Sequence, residues 1–175
     1  MRNLNNLDNS STIISAEVAD WTREAKSPFS WNPSRSLLAS IRSYQWHAGS
    51  SNPMRMLAKK LAVLRYRFWS VVTGADIPLG CSIGGGLIMP HPNGIVIHSD
   101  VKIGPNCIIF QQVTIGVTSS TIPPVIGGHV DIGAGAIILG NIKIGDHARI
   151  GAHALICKDV PAGKTARNAT ATEIY

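Results

Sequence analysis

From Ile77 onward, apolar residues recur every six positions: Ile77, Ile83, Met89, Ile95, Val101, Cys107 and Val113, then Ile126, Ile132, Ile138, Ile144, Ile150 and Ile156. Gly follows at Gly84, Gly127, Gly133, Gly145 and Gly151. A period of six is neither the 3.6 of an amphipathic helix nor the 2 of a half-buried strand. It predicts a coil whose every face is one short strand plus one turn. Three faces close a triangular prism, and coils stack by strand pairing about 4.8 Å apart. Thirteen hexads make about four coils. The aliphatic residue points inward, and the neighbouring glycine is expected to serve corners that need unusual backbone angles. The phase breaks once, because Val113 to Ile126 is 13 residues rather than 12. The stretch Val117–Pro124 is polar and Pro-containing, and reads as a loop thrown out of a corner.

Before the repeat the pattern is helical. Residues 1 to about 30 give weak signals, with a short amphipathic stretch from Ser15 to Lys26 that reads as a loose arm or a marginal helix. One helix is expected from about Ser34 to His47, a turn over Ala48–Pro53, and a second helix from Pro53 to about Val72. In the second, Leu57, Leu61, Leu64, Phe68 and Val71 form one apolar stripe. That stripe is expected to dock on the body and leave Arg55, Lys59, Lys60, Arg65 and Arg67 on a wet back, in preference to a membrane-surface role. The organisation is therefore an arm and helical region over 1–75, a coil domain over 76–163 and a tail over 164–175 that is expected to cap the open end of the prism or wrap a neighbour.

Composition narrows the function. Aromatic residues are only 6%, so the core must be built of stacked aliphatic side chains. The net charge is +6, concentrated in the second helix rather than spread as a nucleic-acid stripe, and no nucleic-acid motif is present. Cys81, Cys107 and Cys157 are isolated, which predicts buried or half-buried reduced thiols in a cytoplasmic setting. The N-terminus has no apolar signal region, and no apolar run is long enough to span a bilayer. His98, His129, His147 and His153 lack ligand spacing, so no metal is expected.

The stretches DIPLGCSIGGGLIMPHPNGIVI, QQVTIG and IGAGAIILGNIKIGDHARIGAHALICKDVPAG resemble the hexapeptide-repeat acyltransferases, in particular serine acetyltransferases and related polysaccharide sugar O-acetyltransferases. The likeness covers about Asp76 to Gly163. It implies a mainly β fold: a left-handed parallel β-helix of about four coils preceded by a short α-helical region. It also implies acetyl-CoA as co-substrate, assembly as a trimer or a dimer of trimers, with a homotrimer the expectation here, and His91 as general base oriented by Asp76. The two are 15 residues apart, one coil less half a hexad, so both can reach one corner. A carboxylate on one ring nitrogen leaves the other free to accept a proton. By the same likeness Gly116, Ala134 and Ala152 line the CoA groove, and Lys158, near the last coil, is placed to meet the CoA phosphates. The likeness departs at three places. Pro90 stands where serine acetyltransferases have an Asp, and Ile122 and Pro123 where they have Arg-His. A zwitterionic acceptor needs paired charges. The expected acceptor is therefore a sugar hydroxyl of a surface polysaccharide or its precursor. The alternatives are L-serine, or a non-catalytic trimeric scaffold.

Overall fold

The structure is a computed structural model and describes residues 14–27, 30–119 and 121–168. Helix α1 runs over Pro33–His47 and α2 over Pro53–Thr73, within a residue of expectation. Each starts with Asn-Pro. The Asn32 side chain accepts from the Arg35 amide at 3.2 Å, and the Asn52 side chain from the Met54 amide at 2.9 Å. Each satisfies a free helix-end donor, while proline presets the first turn. Gly74 ends α2 in the left-handed conformation, φ 64°.

The strands that follow are short: β1 Ser82–Ile83, β2 Val96–Ile97, β3 Lys102–Ile103, β4 Ile108–Ile109, β5 Thr114–Gly116, β6 Val125–Ile126, β7 Asp131–Ile132, β8 Ile137–Leu139, β9 Lys143–Ile144, β10 Arg149–Ile150, β11 Leu155–Ile156 and β12 Thr165–Ala166. They form three parallel four-stranded faces, β1-β3-β6-β9, β4-β7-β10-β12 and β2-β5-β8-β11. This is the expected coil of about four turns. Pairing continues to Ala166, three residues past the expected end of the coil domain, so the start of the tail adds a rung to β10. Residues 1–13 and 169–175, and with them most of the expected capping tail, lie outside the described residues.

All thirteen hexad residues are buried, but they belong to two columns. Inward-pointing strand residues run Ile77, Ile83, Met89, then Ile97, Ile103, Ile109, Ile115, then Ile126 to Ile156. A second buried column, Ile95, Val101, Cys107 and Val113, sits two residues ahead. The six-residue count slips from the first column to the second at Ile95 and back at Ile126. The interruptions are therefore two. Five extra residues lie in the 117–124 loop, and two lie at the corner Pro90–Gly94, because Ile83 pairs with Ile103, 20 positions on, where Ile126 pairs with Ile144, 18 on.

The hexad glycines serve closeness rather than backbone angle. A Cβ on Gly104 would lie 2.5 Å from the Gly127 carbonyl carbon and the Gly128 nitrogen of the next coil. Left-handed corner positions fall elsewhere, on Asn106, Gln112, His129, His147 and His153, φ 52–62°, and on Gly86, Gly94 and Gly135, φ 68–80°.

Two expectations for the N-terminal region are corrected. Ser15–Lys26 forms the arm rather than the marginal helix, but the arm is not loose. It is an extended strap with a single 3-10 turn at Trp21–Glu24, laid across the corner between the first two faces. Buried Asn106 holds it: its Oδ1 accepts from the Asp20 amide at 2.8 Å, and its Nδ2 donates to the Ser15 and Val18 carbonyls at 2.7 and 2.8 Å. Glu24 pairs with Arg42 at 2.8 Å and accepts from the Gly86 amide. The second correction concerns α2. Its inward face carries Ala62, Tyr66, Trp69 and Thr73, while Leu57, Leu61, Leu64, Phe68 and Val71 are exposed. Both stripes have helical spacing. The one with short residues at Ala62 and Thr73 lets α2 lie close on α1 and the prism, and close packing outweighs hydrophobicity alone.

Candidate functional site

The widened corner Pro90–Gly94 joins the second and third faces. Gly94 takes φ 70°, and its amide donates to the Gly74 carbonyl at 2.9 Å, tying the corner to the end of α2. The two extra residues push the Pro-flanked His91 out of the coil, where it is exposed. It opens on a cleft of about 470 Å³ between the start of α1, the end of α2 and the corner, with Trp31, Ser34, Thr73 and Asn93 also in the wall. Among the described residues, His91 is the only titratable side chain lining that cleft.

Below His91 the same edge continues rung by rung. The Gln112 amide donates to the Asn93 carbonyl at 3.0 Å, Gly135 to Gln111 at 2.8 Å and His153 to Ala134 at 2.8 Å. Ala134 and Ala152 therefore stack on the edge that carries His91, at successive coils. Gly116 and Lys158 do not. They lie at the other edge of the third face, where the Gly140 amide donates to the Gly116 carbonyl at 3.1 Å and Lys158 is exposed. Within one chain the four expected groove residues are divided between the two borders of one face.

Asp76 heads the outward column of that face. Its amide donates to the Ile95 carbonyl at 2.8 Å, and its carbonyl accepts from the Ile97 amide at 2.9 Å. Asp76 is thus held beside the strand that leaves the His91 corner. Burial, and then the Asp76 charge, push the Tyr66 hydroxyl above its usual pKa. Among the described residues no hydrogen bond joins the Asp76 carboxylate to the His91 ring. The structure brings the two to neighbouring rungs and leaves their side chains exposed.

The sequence reading passed over Gln111. It sits on the His91 edge one coil on, and its Oε1 is buried with no hydrogen-bond partner. A buried amide oxygen left unpaired is costly, so it marks a place where a ligand donor would be welcome. The only sequence cue was its place in QQVTIG, at the corner rather than the strand.

Of the other histidines, His129 and His147 meet at one corner, Nδ1 to Nδ1 2.8 Å. Burial first, and His147 with nearby arginines after it, lower the His129 pKa against the pull of Asp131. Among the described residues no three His, Cys, Asp or Glu side chains gather as a metal site.

The family profile described as bacterial transferase hexapeptide (six repeats) matches residues 123–158. The serine acetyltransferase of Helicobacter pylori strain J99 is 39% identical over 131 residues, 73% of this chain and 74% of that one. A serine acetyltransferase solved in complex with CoA superposes with TM-score 0.64 at 33% identity, covering 79% of this chain and 55% of that one. The soybean serine acetyltransferase apoenzyme gives 0.66 at 32%, covering 79% and 56%. This chain spans only 25–41% of the length of several further serine acetyltransferases it matches. A coil of hexads with its short helical preface, shared over three quarters of a relative's length, places this chain, a left-handed parallel β-helix, in the serine acetyltransferase family of hexapeptide-repeat transferases.

Proposed function

We propose that this protein is an acetyl-CoA-dependent O-acetyltransferase with His91 as general base. The observation that carries the reading is the corner itself. It is two residues wider than its counterparts, flanks the histidine with prolines, and opens on a cleft above an edge of small residues. In the reaction, a ring nitrogen of His91 takes the acceptor hydroxyl proton as the oxygen bonds to the thioester carbon. The C–S bond then breaks and the CoA sulfur leaves with that proton, so no covalent enzyme intermediate is needed. Asp76 acts as a positioning carboxylate once its side chain turns to the ring. Ala134 and Ala152 give the thin pantetheine arm close access to backbone, and Gly116 and Lys158 meet it from across a groove.

That groove needs a neighbouring prism, which supports a homotrimer. The third face is the more apolar: below Asp76 its outward column runs Val96, Thr114, Ile137 and Leu155, where the first face carries Ser82, Lys102, Val125 and Lys143. We place the protein in the cytoplasm, where acetyl-CoA is made. No helix of the described residues is long and apolar enough to cross a membrane.

For the acceptor, the relatives favour L-serine over the sugar expected from the sequence. The sugar remains a second reading on one observation. The cleft beside His91 is walled by Trp31 and neutral polar groups, and Pro90, Ile122 and Pro123 offer no charge to a zwitterion. Free thiol released from acetyl-CoA with L-serine, and separately with neutral sugars, tests both. Serine-dependent release supports the first, and sugar-dependent release alone supports the second. Release with neither, together with no CoA binding by calorimetry, would leave a non-catalytic scaffold.

A further inference from the structure

The α2 helix keeps its more hydrophobic face in solvent. Met54, Leu57, Leu61, Leu64, Phe68 and Val71 are 53–83% exposed. At 3.6 residues per turn these six share an arc of about 100° along a helix roughly 30 Å long. Single exposed hydrophobics need no explanation, but a continuous stripe does.

The borders of the stripe are basic. Lys60 and Arg67 fall on one side and Arg65 on the other, all exposed. Arg55 adds a fourth exposed cation near the start of the helix. Lys59 is already engaged, its ammonium 4.9 Å from the centre of the Tyr44 ring. The helix contains five Lys or Arg and no Asp or Glu. The docked face, with Ala62, Tyr66 and Thr73, lies on the opposite side, so the prism stands clear of whatever meets the stripe.

This charge pattern selects the occupant. A second copy of α2 would bring its own uncompensated cations against these. A nucleic-acid backbone would satisfy the cations and leave the stripe bare. An anionic lipid surface answers both, because acyl chains take the stripe while headgroup phosphates receive Lys and Arg from its borders. We propose that α2 lies in the headgroup region of an anionic bilayer, with Leu61 and Leu64 at the centre of the buried stripe and Lys60, Arg65 and Arg67 on the phosphates. Val72, one step past the stripe, lines the His91 cleft, so the docked protein presents that cleft at the membrane surface.

The test is co-sedimentation of the full chain with vesicles of phosphatidylcholine alone and of phosphatidylcholine with phosphatidylserine. Each cation near the surface contributes about fivefold, so three give roughly a hundredfold preference for the anionic vesicles. The preference should shrink in high salt. Tight binding to the anionic vesicles should be lost in Leu61→Ser/Leu64→Ser, whose circular dichroism and melting stay those of the parent because both positions are exposed. Equal binding to neutral and anionic vesicles, or none, overturns the proposal. So does a double variant whose particle mass by light scattering falls in the absence of lipid, since the stripe would then be an interface between copies.

Discussion

Replacing Asn106 with Ala should release the N-terminal strap. Asn106 is 1% exposed and makes three hydrogen bonds to the strap backbone, at 2.7, 2.8 and 2.8 Å. Each is worth about 1 kcal/mol net, so their loss costs about 3 kcal/mol. The position also has φ 62°, where an Ala side chain costs about 1–2 kcal/mol and Asn less. The expected total of about 4 kcal/mol falls on the docking of the strap and not on the pairing of the coil. The variant should therefore lose the strap before the coil. Limited trypsin digestion reads this directly, with cleavage after Arg23 and Lys26 becoming fast while the coil resists. Asn106→Gly removes the same bonds without the backbone penalty, so it should expose the strap equally but melt later than the alanine variant. Unchanged cleavage in both variants would refute the reasoning.

Three further outcomes follow from the packing and the site. Gly104→Ala forces a methyl against backbone of the next coil and should destabilise by about 1–3 kcal/mol in urea melts, whereas Gly80→Ala, with nothing within 4 Å of its new carbon, should leave the midpoint unmoved. Burial pushes the Cys81 and Cys107 thiols up to about 11 while Cys157 is exposed. A thiol reagent at pH 8 should therefore modify one cysteine of the native chain and three in denaturant. The folded state keeps two protons that the unfolded chain releases near pH 9, so stability should fall as pH rises from 9 towards 11. Gln111→Met keeps the volume and removes the unpaired oxygen. It should lower kcat/KM while the melting midpoint holds or rises; full activity would assign Gln111 no contact with the reactants.

The coil was legible because a six-residue period has no other physical source, and every hexad residue named from it is buried. The same regularity hid the most telling detail. Two apolar columns run two residues apart, so the two-residue widening at His91 was absorbed into an unbroken count, and the surplus surfaced as one residue at the loop. Helix ends came within a residue of expectation, because what sets them, Asn-Pro at each start and Gly74 after α2, acts locally. The docked side of α2 was not, because hydrophobic spacing identifies stripes but not which of them fits a neighbour. The strap was invisible for a similar reason, since its anchor is a single Asn 86 positions away from Asp20. At the site, the family likeness named His91, Ala134 and Ala152, which share one edge, but it did not show that Gly116 and Lys158 occupy the other, because a hexad count does not record which corner a residue turns.

The central claim is a proton moved by His91, and the His91→Ala variant tests it most directly. With saturating acetyl-CoA and the acceptor that the parent uses, thiol release should fall by about 10²–10⁴-fold, while CoA affinity by calorimetry and the melting midpoint stay as in the parent. A variant that retains the parent's turnover would contradict the account.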